Sequence, residues 1–252
     1  MLRAIRVIEA VCDASIPISI SQLIQRTEIP KATLARLVGT LVTSGYLSYV
    51  PGRRNLIPGP RSARLAIRAL GNGHFQRACR AVLRDTVVTL GETCNLVVRD
   101  GDSVMYVERV ETDAPLRMHL EPGTRAPLHC TAGGKLFLSQ MPPADRDRLL
   151  SVYKLERRTL TTYVNFADLV RELERLRKLG IGVDNEEFVA GMVGIAVPVR
   201  ATDNGALLAA LVCHAASARA TLRELEDKLP VLRAAAQKIE QILALPRPDV
   251  AP

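Results

Sequence analysis

Two pairs of adjacent residues in this 252-residue sequence combine a thiol with an imidazole, His129-Cys130 and Cys213-His214. A thiolate beside an imidazole can serve as a catalytic nucleophile, and both groups are good zinc ligands. Neighbouring residues on a strand point to opposite faces, so each pair presents at most one side chain to a common point. The sequence also lacks a C-x-x-C or H-E-x-x-H motif. This spacing favours a protein that is not an enzyme and has no metal or cofactor, with a Cys/His enzyme as the weaker alternative.

A run of small residues, Thr131-Ala132-Gly133-Gly134, has the composition of an anion cradle. It opens a predicted helix, where backbone N–H groups and the positive end of the helix dipole stabilise a carboxylate. Close packing of a helix on a sheet requires the same small residues. The run alone is therefore weak evidence for a ligand.

An acidic cluster follows further along the chain, Asp184-Asn185-Glu186-Glu187. Adjacent carboxylates cannot all point inward, so the cluster predicts a solvated turn more than a cation site. Asp184 and His214 each have two interpretations of about equal weight, a contact with a ligand or a satisfied structural position.

Residues 19–43 predict two short helices joined by a tight turn. Ser19 or Ser21 caps the first helix, and Pro30 suits the first turn of the second. The second helix carries a buried stripe at helical spacing, formed by Leu34, Leu37, Val38 and Leu41.

The outer face of that second helix fits the major groove of DNA, because it combines small side chains with two cations. Arg36 reaches guanine, and Thr33 or Ala35 meets a thymine methyl group. The predicted DNA contacts are Ser19, Ser21, Lys31, Ala32, Thr33, Ala35 and Arg36. An ordinary amphipathic helix pair with a solvated face is the alternative for this segment taken alone.

The next segment argues against that alternative, because it predicts a β-hairpin. Residues 46–50 and 55–57 have strand character, and the turn between them carries Arg53 and Arg54. A winged helix-turn-helix results, in which both arginines contact phosphate or the minor groove.

The charge distribution supports a nucleic-acid module. Residues 1–80 contain 12 Lys and Arg against 3 Asp and Glu, whereas residues 81–252 contain 22 against 23. The whole net charge of +8 therefore lies in the first third of the chain, as expected for a DNA-binding domain joined to a different body.

Composition excludes several other classes. No apolar run reaches the roughly 20 residues that span a bilayer, and no secretory signal is evident, so we expect a cytoplasmic protein without a membrane partner. Five scattered cysteines predict reduced thiols. The absence of Trp and the low number of Phe and Tyr argue against binding single strands or RNA.

Residues 60–70 predict a linker helix that ends at Gly71-Asn72-Gly73. Beyond it the pattern is that of an antiparallel α+β domain with a concave face for a small ligand. We expect helices over 76–90, 131–139, 144–150, 166–179 and 221–245, and strands over 93–99, 103–110, 116–120, 193–200 and 206–214.

Four segments, in order and spacing, resemble the IclR family of bacterial transcription regulators over nearly the whole chain. They begin at Arg3 (RAIRVIEA), Pro30 (PKATLARL), Pro127 (PLHCTAGGK) and Val183 (VDNEEFVAGMVGIAVPV). The resemblance implies a winged helix-turn-helix over 1–59, a linker helix over 60–74, a GAF-like α/β effector domain over 75–246 and a flexible tail over 247–252. It also implies a homodimer or dimer of dimers on palindromic operator DNA, controlled by a small carboxylate. Ala32 and Ala35 depart from the usual Ser and aromatic residue, which leaves Thr33 and Arg36 as the main base-reading candidates.

The resemblance also implies an effector pocket. Its predicted residues are Met118, Ala126, Leu128, His129, Cys130, Thr131, Ala132, Gly133, Asp184, Met192, Gly194, Val212 and His214. Gly194 replaces a usual Cys, and Val212-Cys213-His214 replaces a usual Ser-x-Ser. We therefore expect an effector larger or more apolar than a two- or three-carbon keto acid, such as an aromatic carboxylate, and a repressor of a catabolic operon. A redox regulator that senses through Cys130 or Cys213 is the alternative.

Overall fold

The computed structural model of the chain describes residues 2–14, 16–71 and 73–244. The predicted tail, 247–252, and the predicted end of the effector domain at residue 246 lie outside the described residues. Two compact units divide the chain, Met1–Gly73 and His74–Pro252. The boundary falls next to the predicted start of the effector domain at residue 75. No helix in the described part is long and apolar enough to cross a membrane.

The N-terminal unit is a helix-turn-helix followed by a hairpin. Its elements are α1 (Leu2–Cys12), α2 (Ile20–Thr27), α3 (Lys31–Thr43), β1 (Leu47–Tyr49), β2 (Leu56–Pro58) and α4 (Pro60–Gly71). An isolated bridge between Ile18 and Leu56 extends the antiparallel β1–β2 pair. The core consists of buried aliphatic residues from every element up to β2, including Val7, Leu23, Leu34, Val38 and Leu56.

The turn between α2 and α3 is fixed by local interactions. Ser19 caps α2 in a capping box with Gln22, so two backbone N–H groups at the helix start are satisfied. Glu28 ends α2 in the left-handed conformation, with φ of 56°, and this reverses the chain. Pro30 then precedes α3 and provides a fixed φ for its start.

The C-terminal unit contains a six-stranded antiparallel sheet with helices on both faces. Its helices are α5 (Gly73–Leu90), α6 (Ala132–Gln140), α7 (Pro143–Val152), α8 (Phe166–Leu179), α9 (Leu222–Asp227) and α10 (Leu229–Leu243). Its strands are β3 (Thr93–Asp100), β4 (Ser103–Val110), β5 (Arg125–Pro127), β6 (Gly182–Asn185), β7 (Met192–Arg200) and β8 (Leu207–Ala216). The strand order is β5-β4-β3-β8-β7-β6.

Alternation along the central strands gives the sheet two different cores. On β7 and β8, residues such as Ile195, Val197 and Leu211 face a core shared with α5, α9 and α10. The intervening residues, such as Ala210 and Val212, face a second core shared with α6, α7 and α8. Period-two burial of this kind is the expected property of strands.

The predicted strand over 116–120 is wrong. Arg109 donates a hydrogen bond to the carbonyl oxygen of Met118, and Arg219 donates one to that of Leu116. Backbone acceptors that a neighbouring strand would need are thus used by arginine side chains. The edge strand next to β4 is instead the short β5, which the sequence patterns did not predict.

The predicted helix over 221–245 is broken into α9 and α10 around Lys228. Pro230 has no N–H group to donate to the preceding turn, so it begins a new helix instead of continuing the old one. The other predicted helices of this unit form with boundaries shifted by at most three residues. Gly180 ends α8 in the left-handed conformation, as predicted.

Candidate functional site

The outer face of α3 presents the residues predicted to contact DNA. Lys31, Ala32, Ala35 and Arg36 are exposed, and Thr33 is half-buried. The opposite face is anchored by Leu34, Val38 and Leu41 in the core. The small exposed side chains leave the helix backbone accessible, which a helix in the major groove requires.

Two predicted serine contacts differ in their surroundings. The Ser19 hydroxyl accepts from the backbone N–H of Gln22 at 3.3 Å and donates to Gln22 Oε1 at 2.9 Å, so it stabilises the start of α2. Ser21 is exposed in the first turn of α2. The Ser21 side chain, by contrast, takes no part in the capping box.

The tip of the hairpin carries two exposed cations, Arg53 and Arg54. Gly52 precedes them with φ of 71°, a conformation that L residues rarely adopt. The hairpin register, Leu47 opposite Pro58 and Tyr49 opposite Leu56, places both arginines in the connecting turn. This is the predicted wing.

A cavity in the C-terminal unit lies between the sheet and the start of α6. We call it the effector cavity. Nine of the predicted effector residues line it, namely Met118, Thr131, Ala132, Gly133, Asp184, Met192, Gly194, Val212 and His214. The structure thus brings residues from the α6 start, β6, β7, β8 and the segment after β4 together.

Four predicted effector residues do not line the cavity, Ala126, Leu128, His129 and Cys130. All four are buried beside it. His129 is held by the Glu156 carbonyl at 2.9 Å and lies 3.4 Å from the Tyr153 hydroxyl, and burial lowers its pKa. Ala126 lies in β5, the other three lie in the loop between β5 and α6, and all four belong to the protein interior.

Five further residues line the cavity and were not predicted, Val97, Val104, Tyr106, Phe188 and Val193. Three of them lie on β3 and β4, whose alternating apolar residues point to the same face as Val212. Alternation on these strands was visible in the sequence, but the pairing of β3 with β8 was not.

Three residues of the cavity form one row across adjacent strands. Asp184 on β6 is the register partner of Gly194 on β7, and Gly194 is the partner of His214 on β8. Neighbouring strands are about 4.8 Å apart, so the acid and the imidazole flank a gap about two strand spacings wide. A Cβ atom at Gly194 would lie 3.5 Å from that of His214 and 3.7 Å from that of Ala132, both ordinary contacts. Gly194 therefore supplies space in the cavity and is not required by packing.

A chain of buried polar groups supports His214. Arg109 Nη1 donates to Asn95 Oδ1 at 2.7 Å, and Asn95 Nδ2 lies 2.9 Å from His214 Nδ1. Arg109 Nε also binds Glu111 Oε1 at 3.0 Å. Burial and the nearby Arg109 charge lower the pKa of His214 to about 3, so the imidazole is neutral in the folded protein at neutral pH.

A second buried network surrounds Asp184. Its Oδ1 accepts hydrogen bonds from the backbone N–H groups of Glu187 and Phe188. Glu187 in turn pairs with the fully buried Lys135, which lies 3.6 Å from Glu172. Burial and the neighbouring Glu187 raise the pKa of Asp184 to about 7. The predicted solvated turn is thus partly wrong, since Asp184 and Glu187 are buried and only Asn185 is exposed, with Glu186 half-buried.

Close packing explains the glycines that open α6. A Cβ atom at Gly133 would lie 2.7 Å from a methyl group of Val97, and one at Gly134 would lie 2.3 Å from the Leu128 carbonyl oxygen. Both distances are shorter than real Cβ contacts. The small-residue run is therefore required to seat α6 on the sheet, whether or not a ligand is bound.

Cys130 and Cys213, the thiols of the two Cys/His pairs, are both buried. Burial raises the pKa of Cys130 to about 12. Cys213 packs in the core opposite the effector cavity, so it is separated from His214 by the sheet. Within the described residues, no three His, Cys, Asp or Glu side chains form a group that could hold a metal ion.

Two family models match the chain. The model described as bacterial transcriptional regulator IclR C-terminal matches residues 67–241, and the IclR helix-turn-helix domain matches residues 2–51. A curated relative, the probable transcriptional regulator SauR of Cupriavidus necator, is 39% identical over 238 residues, which cover 94% of each chain.

Solved structures share the architecture. A transcriptional regulator from Rhodococcus sp. RHA1 has a TM-score of 0.66 and 27% identity, with 96% of each chain covered. An IclR homologue from Microbacterium hydrocarbonoxydans, complexed with 4-hydroxybenzoate, has a TM-score of 0.61 and 25% identity, with 96% of this chain and 97% of that chain covered.

Proposed function

The chain belongs to the IclR family of bacterial transcriptional regulators, with a DNA-binding helix-turn-helix domain and a ligand-binding domain, and we propose that it is a repressor of a catabolic operon that a carboxylic acid controls. The observation that carries the proposal is the effector cavity, which lies in the unit separate from the exposed α3. We further propose that the protein acts as a homodimer or dimer of dimers in the cytoplasm.

The DNA-binding surface consists of α3 and the wing. We propose that Arg36 and Thr33 read bases in the major groove, with Lys31, Ala32 and Ala35 lying against it. Arg53, Arg54, Ser21 and the start of α2 at Ser19 lie against the backbone. Arginine reads guanine through two parallel hydrogen bonds, whereas phosphate contacts position the domain without selecting a sequence.

The effector is proposed to be an aromatic or other bulky carboxylic acid. The apolar side chains of Val97, Val104, Phe188 and Val212 line the cavity, while Asp184 and His214 provide polar groups at two sides. An apolar cavity with a few polar groups is the usual form of a small-molecule site. The complex of the Microbacterium homologue with 4-hydroxybenzoate supports an aromatic acid as the effector.

Control of DNA binding requires that the effector stabilise one conformation of the dimer more than another. The favoured conformation must also space the two α3 helices differently along DNA, since half-sites lie about one helical turn apart. Operator affinity and effector affinity are then linked by one coupling free energy, typically about 1–3 kcal/mol.

Calorimetry with glyoxylate, pyruvate, benzoate and 4-hydroxybenzoate tests the effector class. We expect the aromatic acids to bind the wild-type protein and to change its affinity for DNA from the region flanking its own gene. Tight binding of glyoxylate or pyruvate without any aromatic binding contradicts the proposed effector.

Gly194→Cys provides the matched variant. The added side chain enters the cavity without a short Cβ contact, so we expect benzoate affinity to fall about tenfold, or about 1.4 kcal/mol, with little change in melting temperature. Ala218→Cys introduces the same thiol at an exposed position of this unit and serves as the control. Equal benzoate affinities of the two variants contradict the placement of the effector beside Gly194.

A further inference from the structure

Arg109 is a buried cation that sequence patterns did not single out. Its side chain is 3% exposed and donates to Glu111 Oε1, Asn95 Oδ1 and the carbonyl oxygen of Met118. Met118 lines the effector cavity, and so does His214, whose Nε2 lies 3.5 Å from Arg109 Nη2. A permanent positive charge therefore lies at the His214 side of the cavity.

The hydrogen bonds of Asn95 determine which nitrogen of His214 carries the proton. Arg109 can only donate, so the Asn95 atom at 2.7 Å from Nη1 must be the amide oxygen. The amide nitrogen then faces His214 Nδ1 at 2.9 Å and donates to it. Nδ1 is the acceptor, and the single proton of the neutral imidazole is on Nε2.

This assignment leaves two donors facing one another. His214 Nε2–H and Arg109 Nη2 are 3.5 Å apart, and neither can accept from the other. Arg109 Nη2 donates one of its two N–H groups to the Met118 carbonyl oxygen, so one oxygen atom about 2.9 Å from both nitrogens would accept its second N–H together with His214 Nε2–H. His214 is 7% exposed and lines the cavity, so a molecule that supplies this oxygen would have to lie in the cavity.

We propose that the carboxylate of the effector fills this point, bound by His214 Nε2–H and Arg109 Nη2, and that Asn95 is the positioning residue that fixes the His214 tautomer. The proposal rests on the proposed function and adds the orientation of the effector. Charge-assisted hydrogen bonds of this type are roughly twice as strong as neutral ones.

The opposite side of the cavity is less suited to a carboxylate. Asp184 lies there beside the buried Glu187, and a second anion would be repelled whenever Asp184 is ionised. The glycines at the start of α6 are accounted for by packing against Val97 and Leu128. We therefore place the carboxylate at His214 and the remainder of the effector toward Asp184 and Phe188, the reverse of the orientation that the α6 cradle suggested.

Nitrogen-15 NMR of the imidazoles tests the tautomer without any ligand. The chain contains four histidines, and His214→Gln identifies the His214 signals by their loss. We expect the Nε2–H tautomer in the wild type at pH 7. Asn95→Asp still accepts from Arg109 but cannot donate to Nδ1, so it should convert His214 to the Nδ1–H form. A wild-type Nδ1–H tautomer overturns the proposal.

Calorimetry with two pairs of probes, benzoate with benzamide and pyruvate with pyruvamide, tests the charge. In the wild type the acid should bind more tightly than its amide. We expect Arg109→Gln and Asn95→Asp each to weaken binding of the acid at least about tenfold and to reduce that preference, a change that general loss of structure would not produce. Arg125→Gln, which removes an exposed cation from the same sheet, should leave both affinities unchanged.

The outcomes separate the two proposals. If neither acid binds the wild type, the proposed function fails and this assignment fails with it. If benzoate binds the wild type and Arg109→Gln equally well, the proposed function stands and the assignment is wrong. Arg109→Lys retains the positive charge and checks folding, and it should recover part of the preference for the acid if charge is what the site supplies.

Discussion

The two units use the same charged residue types in opposite ways. In the N-terminal unit Lys31, Arg36, Arg53 and Arg54 are exposed cations on the proposed DNA surface. In the C-terminal unit Lys135 and Arg109 are buried, and each is paired with carboxylates. A count of charges along the sequence therefore indicates which unit is basic, but it does not reveal the buried ion pairs of the second unit.

The contrast has an energetic basis. Exposed charges keep their hydration, so each contributes little to stability and remains available for a partner. Buried charges lose their hydration and persist only with partners in place. We expect substitutions of charged residues in the first unit to alter DNA binding and leave stability nearly unchanged. In the second unit we expect them to reduce stability.

Removal of Lys135 should produce the largest effect. Lys135→Met leaves Glu187 and Glu172 without their buried cation, and breaking such a pair costs about 3–5 kcal/mol of the free energy of unfolding. Urea unfolding followed by circular dichroism measures the loss. Lys178→Met, on the exposed face of α8, is the control and should change stability by less than about 0.5 kcal/mol. A loss below about 1 kcal/mol for Lys135→Met would mean that buried and exposed cations here do not differ as we describe.

A pH series on Asp184→Asn sharpens the comparison further. Asp184 has a folded-state pKa of about 7, raised from 3.8, so its neutral form stabilises the fold below pH 3.8 and this contribution is lost as the pH rises to about 7. The free energy of unfolding of the wild type should therefore fall relative to that of Asp184→Asn by up to about 4 kcal/mol over this window. The pKa of His214 is lowered from 6.5 to about 3, so its contribution to stability has the opposite sign. The free energy of unfolding of the wild type should therefore rise relative to that of His214→Gln as the pH increases from about 3 to 6.5. Parallel pH profiles for wild type and Asp184→Asn would contradict the burial of this acid.

The smallest expected effects lie in the first unit, where function and stability should separate. Arg36→Ala should lose about 1–3 kcal/mol of discrimination at one operator position, with nearly unchanged stability. Arg53→Ala should weaken binding to all sequences and reduce the slope of log affinity against log salt by about one. Footprinting and fluorescence anisotropy over a salt series measure both. Unchanged selectivity in Arg36→Ala would remove α3 from its proposed role.

The sequence predicted the N-terminal unit well because its signals are local. A serine cap, a proline at a helix start and a period of 3.6 specify α2 and α3 without any long-range pairing. The resemblance to the IclR family supplied most of the cavity residues. Nine of them line the cavity, whereas Ala126, Leu128, His129 and Cys130 lie behind it.

What the sequence could not predict depends on strand register. Arg109 and Asn95 are 14 residues apart, and both lie more than 100 residues from His214, so only the pairing of β3 with β4 and β8 brings them together. Likewise, arginine side chains bind the carbonyls of residues 116 and 118, and this prevented the strand that local propensity favoured. Interactions across the sheet decide these features, and periodicity along the chain does not encode them.

The two faces of the six-stranded sheet also bear on how such a regulator can change over evolutionary time. The core against α5, α9 and α10 contains most of the buried aliphatic residues of β7 and β8 and does not depend on what occupies the cavity on the opposite face. If the effector binds in the cavity as proposed, substitutions at Gly194, Val212 or Met192 would alter the accepted ligand while the other face maintains the fold. On the same proposal, the domain is a practical starting point for biosensor engineering, since ligand specificity would be varied without altering α3.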